Sequence, residues 1–230
     1  MTTKIIGTGS YLPEHVVSND DLAKLVDTSD EWIASRTGIR NRRIATKESG
    51  ADMAAAAAEE ALKDAGMDGS EIDLILVATC SSDFQFPSTA CLVQKAIHAT
   101  NAAAFDLSAA CSGFLFALHT AHAYIRAGIY KNILLVGVEE LSKLIDWNDR
   151  STCVLFGDGA GAAVVTAADH GLEGFVQWSD GVGGEVLTCP GRKMENPWKE
   201  NASEKEYIQM NGQEVFRFAV KKVPECIRQV

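Results

Sequence analysis

Ala103-Ala104-Phe105-Asp106-Leu107-Ser108-Ala109-Ala110-Cys111-Ser112-Gly113-Phe114-Leu115-Phe116 reads as a strand that runs into a cysteine and a helix that leaves from it. The small residues Ala109, Ala110, Ser112 and Gly113 permit a tight strand-to-helix elbow, the small-x-Cys-x-Gly form of a nucleophile turn. A thiol at the amino end of a helix faces the positive end of the macrodipole and unpaired backbone N–H groups, which favour the thiolate. The same N–H groups can hold an oxyanion while a thioester carbonyl is attacked. On local pattern alone, a nucleophile and a buried structural cysteine fit equally well.

Working outward, the elbow sits in an alternation of apolar strands and helices. Ile72–Thr79, Ala102–Leu107 and Ile133–Val138 are continuous apolar runs, with helical stretches at Ser88–His98 and Cys111–Ala127 between them. Unbroken apolar strands alternating with helices predict parallel strands covered on both faces, an α/β fold. The helix from Cys111 is apolar nearly all round (Phe114, Leu115, Phe116, Leu118, Ile125), which predicts a buried helix lying between two sheets.

Toward the amino terminus, Lys4–Tyr11 reads as a strand. Ser18-Asn19-Asp20-Asp21 opens a short helix through Leu25, and Thr28-Ser29-Asp30-Glu31 opens a second that Thr37-Gly38 stops. Ser49-Gly50-Ala51-Asp52 caps a longer alanine-rich helix ending at Gly66. Beyond Arg150, Thr152–Phe156 and Gly161–Ala167 read as strands around a Gly157-Asp158-Gly159-Ala160 turn, with another strand near Gly174–Trp178. Pro190–Lys205 is polar and loop-like. A helix follows from about Asn211, and Pro224 should kink or end it.

Composition narrows the function classes. The 230 residues, 47% hydrophobic and 23% charged, have globular proportions, and no apolar run approaches the roughly 18 residues of a membrane span. No signal-peptide pattern opens the chain, so a cytoplasmic location is expected. The formal charge of −10 argues against nucleic-acid binding, although Arg36, Arg40, Arg42, Arg43 and Lys47 form a basic knot. Spacing alone fits a solvated face better than an anion site there. Neither Gly7-Thr8-Gly9 nor Gly157-Asp158-Gly159-Ala160-Gly161 completes a dinucleotide fingerprint, because no third glycine leads into a helix. The six cysteines lack C-x-x-C pairing and the five histidines form no ligand cluster, so no metal is expected.

Asp106-Leu107-Ser108-Ala109-Ala110-Cys111-Ser112-Gly113-Phe114 resembles the active-cysteine motif of the β-ketoacyl-acyl-carrier-protein synthase III family, which initiates bacterial fatty acid synthesis. The similarity runs along the whole chain in order: Lys4 to Pro13, Thr28-Ser29-Asp30-Glu31-Trp32-Ile33, Arg36-Thr37-Gly38-Ile39-Arg40, Phe86-Pro87-Ser88, Asp149-Arg150, Phe156 to Gly161, and Met210-Asn211-Gly212-Gln213-Glu214-Val215-Phe216.

That resemblance implies a thiolase-like layered fold, α-β-α-β-α, with residues 1–170 as the first half and 171–230 as the beginning of the second. It implies that Cys111 takes acetyl from acetyl-coenzyme A and condenses it with malonyl-acyl-carrier protein. It places the adenine between Trp32 and Arg150, with Thr28 hydrogen-bonding the base and Arg36, beside Thr37, on the phosphates. Phe86, Phe156, Leu187, Met210 and Phe216 would line the acyl and pantetheine channel, Phe86 from the partner subunit of a homodimer. No cofactor beyond these substrates, no metal and no membrane or nucleic-acid partner is implied. Family members also carry a catalytic His followed by Gln-Ala-Asn-Leu-Arg, and a catalytic Asn. No such motif occurs in these residues, so acylation is expected of them and condensation is not. Two other readings stay open: a non-catalytic fragment or partner protein, and a secondary-metabolite ketosynthase with another primer.

Overall fold

A computed structural model of the chain describes residues 1–191, 198 and 207–230. In chain order the elements are β1 (Thr2–Tyr11), β2 (Val16–Ser18), α1 (Asn19–Leu22), α2 (Asp30–Thr37), β3 (Asn41–Arg43), α3 (Gly50–Ala65), β4 (Leu74–Ala78), α4 (Thr89–Ala96), β5 (Ala103–Leu107), α5 (Gly113–Arg126), β6 (Asn132–Glu140), α6 (Arg150–Cys153), β7 (Asp158–Ala168), β8 (Leu187–Thr188), β9 (Gln209–Met210) and α7 (Gly212–Ile227). They fall into two compact units.

The first unit comprises residues 1–16, 43–140 and 157–175. Its sheet has the order β1-β7-β6-β4-β5. As the apolar runs predict, β5, β4 and β6 are parallel, with Ala78 opposite both Leu107 and Gly137. β7 is antiparallel to both β6 and β1. Alternation along the strands divides the core into two. Ile75, Val77, Leu134 and Val136 pack with α3 and α4 on one face, while Leu74, Leu76, Ile133 and Leu135 pack with α5 on the other. The outer side of α5 carries Leu115, 55% exposed.

Gly7 and Gly9 let α3 lie directly on β1: a Cβ on Gly9 would stand 2.2 Å from the Ala57 carbonyl oxygen. The alanine stripe of α3 meets them, so the Gly-Thr-Gly stretch serves helix–sheet packing. The Ser49–Asp52 capping box opens α3 as read from sequence.

The second unit comprises residues 17–42, 141–156 and 176–230. Leu22, Ile33, Ile145, Cys153, Val154 and Ile208 form its buried core, with Trp32 and Phe156 packed against it. β8 and β9 form a two-stranded ribbon in which Leu187 opposes Met210.

Four readings need correction. No hairpin forms over Thr152–Ala167: Asp149 caps the short helix α6, and β7 runs unbroken through the glycines. β7 lies between two strands, and a Cβ on Gly159 would sit 3.0 Å from Leu12 Cδ2, so glycine there gives room rather than a turn. No strand forms near Gly174–Trp178; Phe175 instead stacks on His119 at 4.0 Å. Pro224 does not end α7, which continues to Ile227; Val220, to whose carbonyl the proline cannot donate, is half-exposed. The helix expected from Cys111 begins at Gly113, after a single turn over Ala110–Ser112. The expected loop at Pro190–Lys205 lies largely outside the described residues.

Candidate active site

The first unit presents Cys111. Before the elbow, the Asp106 carboxylate on β5 accepts from the backbone N–H groups of Thr89 (2.8 Å) and Ala90 (2.7 Å), tying the strand to the start of α4. After the elbow, Gly113 opens α5 so close to β4 that a Cβ would stand 3.0 Å from Ala78 Cβ. Between these anchors Ala110 takes φ = 44°, the left-handed region that costs a non-glycine residue about 1–3 kcal/mol. The turn closes with Ser112 N–H donating to the Ala109 carbonyl at 3.2 Å. Cys111 is exposed, whereas Cys153 is fully buried. A cysteine used as a small hydrophobe looks like Cys153; Cys111 does not. The Ser112 side chain makes no capping bond, leaving the first N–H groups of α5 without a side-chain cap. Phe86, also in this unit, is 86% exposed.

The second unit brings three of the expected residues together. The Ser29 hydroxyl accepts from Trp32 N–H at 3.1 Å and starts α2, which sets Trp32 and Arg36 one turn apart on one face. Arg36 Cζ lies 4.5 Å from the Trp32 ring centroid, and Arg150 Cζ lies 4.9 Å from it. Arg150 is the first residue of α6 and donates from Nη1 to the Asp27 carbonyl at 2.8 Å. Burial works to raise the Asp149 carboxyl, but hydrogen bonds from Ser151 and Thr152 outweigh it and hold it below the usual carboxylate range. A charged Asp149 thereby keeps α6 capped. Thr28 Oγ1 is buried and, among the described residues, has no hydrogen-bond partner. Thr37 is different: its hydroxyl donates to the Ile33 carbonyl at 2.8 Å and accepts from Ile39 N–H at 3.0 Å, so it is taken up by the helix end. Leu187 and Met210 meet across the ribbon. Phe156 packs beside the core, and Phe216 on α7 is 67% exposed.

Comparison with known proteins bears on the family and the fold. The chain is 52% identical over 233 residues to the β-ketoacyl-[acyl-carrier-protein] synthase III of Clostridium acetobutylicum, covering 100% of this chain and 71% of that protein. The chain belongs to the β-ketoacyl-acyl-carrier-protein synthase III family. The protein of that name from Neisseria meningitidis is 54% identical over 230 residues, covering 99% of this chain and 71% of its own. A family model for 3-oxoacyl-[acyl-carrier-protein] synthase III matches residues 105–181, which include Cys111 and Arg150. Among solved structures, the 3-oxoacyl-[acyl-carrier-protein] synthase III of Aquifex aeolicus superposes with a TM-score of 0.90 at 49% identity, covering 99% of this chain and 70% of that one. The priming β-ketosynthase of the R1128 polyketide pathway gives 0.87 at 37% identity, covering 99% and 69%. The fold is the thiolase-like α/β fold of these synthases.

For a synthase III chain, two features escaped the sequence. The basic knot is not one surface: Arg42 is only 6% exposed, Arg40 pairs with Asp30 at 2.7 Å, and Arg43 donates to the Pro13 carbonyl at 3.1 Å. Cys80, read as an ordinary thiol, donates to Glu139 Oε1 at 3.2 Å, and Glu139 also accepts from the Ser81 hydroxyl. No signal in the sequence joins Cys80 to Glu139, because the register of β4 with β6 brings them together. Among the described residues no group of three or more His, Cys, Asp or Glu could hold a metal ion, and no helix is long and apolar enough to cross a membrane.

Proposed function

We propose that this chain accepts the acetyl group of acetyl-coenzyme A on Cys111, the first half of the condensation that initiates type II fatty acid synthesis. The observation that carries the reading is the exposed Cys111 thiol on the left-handed Ala110 turn at the mouth of α5. The Cys111 sulfur attacks the thioester carbonyl, the carbon–sulfur bond to coenzyme A breaks, and coenzyme A leaves as a thiolate that takes up a proton. N–H groups at the start of α5 supply donors for the oxyanion. In the second half, malonyl-acyl-carrier protein loses carbon dioxide and its carbanion displaces Cys111, giving acetoacetyl-acyl-carrier protein. The family's His and Asn serve that step, and no His-Gln-Ala-Asn stretch occurs in this sequence. Acylation is therefore the part proposed for these residues.

Trp32 and Arg150 would stack on the adenine, Thr28 Oγ1 would bond its edge, and Arg36, beside Thr37, would meet the phosphates. The unpartnered Thr28 hydroxyl supports this, since a buried hydroxyl with no partner costs free energy that a ligand acceptor would relieve. Phe86, Phe156, Leu187, Met210 and Phe216 are the proposed walls of the acyl and pantetheine channel. Coenzyme A and the carrier protein act as substrates, with no further cofactor. We assign residues 1–170 and 171–230 to the two related halves. A homodimer is proposed through β5, the end strand of its sheet among the described residues, which carries the exposed Phe105. The resemblance to the polyketide priming enzyme favours a second reading, the same chemistry with another primer.

The test is incubation with acetyl-coenzyme A followed by intact mass measurement. One acetyl adduct is expected on the chain and none on Cys111→Ala. An adduct that persists in the variant points to another nucleophile and refutes the Cys111 assignment; no adduct on the parent chain refutes the proposal and favours a non-catalytic partner protein. Other acyl-coenzyme A thioesters in the same assay define the primer.

A further inference from the structure

The two helices bearing the stacked side chains are joined underneath by a buried polar relay. Asn19, 1% exposed, donates from Nδ2 to Asp30 Oδ1 at 2.8 Å and to the Ile39 carbonyl at 2.8 Å. Asp30 is the first residue of α2 and Ile39 follows its glycine cap, so one amide grips both ends of the helix that carries Trp32 and Arg36. Asn19 Oδ1 in turn accepts from Arg42 Nη2 at 2.6 Å. Arg42 also donates from Nη1 to the Val17 carbonyl at 3.1 Å and from Nη2 to the Val154 carbonyl at 3.5 Å. Val154 is the carboxy-terminal cap of α6, the helix that begins with Arg150.

Arg42 is a poor choice for packing alone. Its three hydrogen bonds go to neutral oxygens, its Nε has no partner among the described residues, and burial pushes its guanidinium down from its ordinary value. A buried charge without a carboxylate partner stabilises a fold less than an apolar side chain of similar volume. What a guanidinium supplies and an apolar residue lacks is a planar fork, here spanning the Val17 carbonyl of β2, the Asn19 amide and the end of α6. We propose that Asn19 and Arg42 are positioning residues for nucleotide recognition, holding α2 and α6 at the spacing that keeps Trp32, Arg36 and Arg150 stacked. This rests on the coenzyme A reading of those three side chains.

The test is a double-mutant cycle on coenzyme A binding, measured by titration calorimetry on the full chain at a temperature where circular dichroism shows every variant folded. Asn19→Asp keeps the acceptor for Arg42 and removes both donations to α2. It is expected to weaken binding about tenfold, within what two lost buried hydrogen bonds can supply. In a Trp32→Ala background the same change is expected to have little further effect, because the geometry it protects is gone. A merely structural role gives equal losses in both backgrounds, and that additivity overturns the proposal, as does unaltered binding by Asn19→Asp. If Asn19→Asp fails to fold, Arg42→Lys, which keeps the charge and loses the fork, takes its place in the cycle with the same expected outcomes. Unchanged binding by Trp32→Ala itself overturns the nucleotide reading, and the inference with it.

Discussion

Arg150→Ala is expected to weaken coenzyme A binding much less than Trp32→Ala, although both residues flank the proposed adenine site. In the ligand-free structure the Arg150 guanidinium already rests on the indole, 4.9 Å from the ring centroid. A flat base inserted between them needs about 3.5 Å on each side, hence about 7 Å in all. The guanidinium must therefore withdraw by about 2 Å, giving up its contact with Trp32 and straining its 2.8 Å bond to the Asp27 carbonyl. An exposed cation–π contact contributes about 0.5–1 kcal/mol and a net hydrogen bond about 1 kcal/mol. Stacking of a base returns about 1–3 kcal/mol. For Arg150 the gain and the loss nearly cancel, and the expected effect is about fivefold or less. For Trp32 only the shared cation–π contact offsets the stacking, since the Asp27 bond belongs to Arg150, so removing the ring should weaken binding about tenfold or more. Calorimetric titration of coenzyme A into the parent chain and both variants measures the difference. Equal losses in Arg150→Ala and Trp32→Ala would refute the reasoning, because they would mean that Arg150 surrenders nothing on binding.

Two further predictions concern the first unit. Gly9→Ala is expected to destabilise the chain by about 3 kcal/mol, because its Cβ would lie 2.2 Å from Ala57 O and 2.4 Å from Ala61 N, both backbone atoms that cannot give way; a guanidinium melt with an unchanged midpoint would contradict this. His122, bonded to Thr3 Oγ1 at 2.9 Å, is held below its ordinary value of 6.5 by burial first, then by Arg126 and His119. The unfolded chain takes up a proton there before the folded one does. Stability is therefore full above about pH 6.5 and falls as pH drops below it, and His122→Gln should flatten that slope in thermal melts recorded from pH 7 to 5.

What the sequence made legible was local. Serine caps that accept from the backbone N–H three residues on, unbroken apolar strands, and the Trp32–Arg36 turn of helix all depend on neighbours a few residues apart, and each stands where its pattern placed it. What it hid was decided by distant contacts. Glycines at 157–161 look the same whether they turn a chain or make room beside another strand, and only the register of β7 against β1 separates the two. Arg42 looks like its solvated neighbours Arg40 and Arg43 until the fold buries it on Asn19. The stack of Arg150 on Trp32 needs α6 to meet α2, which no spacing between them records.

The elbow is the case where local and distant causes coincide. Small residues around Cys111 make the turn possible, but a left-handed alanine persists only where its surroundings over-determine it. Asp106 fixes the strand side by capping α4, and the contact of Gly113 with Ala78 fixes the helix side against β4. With both ends held, Ala110 has one conformation that joins them, and that conformation brings Cys111 out of the core to the start of α5. Relaxing either anchor would let Ala110 return to an ordinary backbone and shift Cys111 from the place the proposed acylation needs. The reactivity proposed for Cys111 thus depends on the β4–β5–α5 junction as much as on the thiol itself.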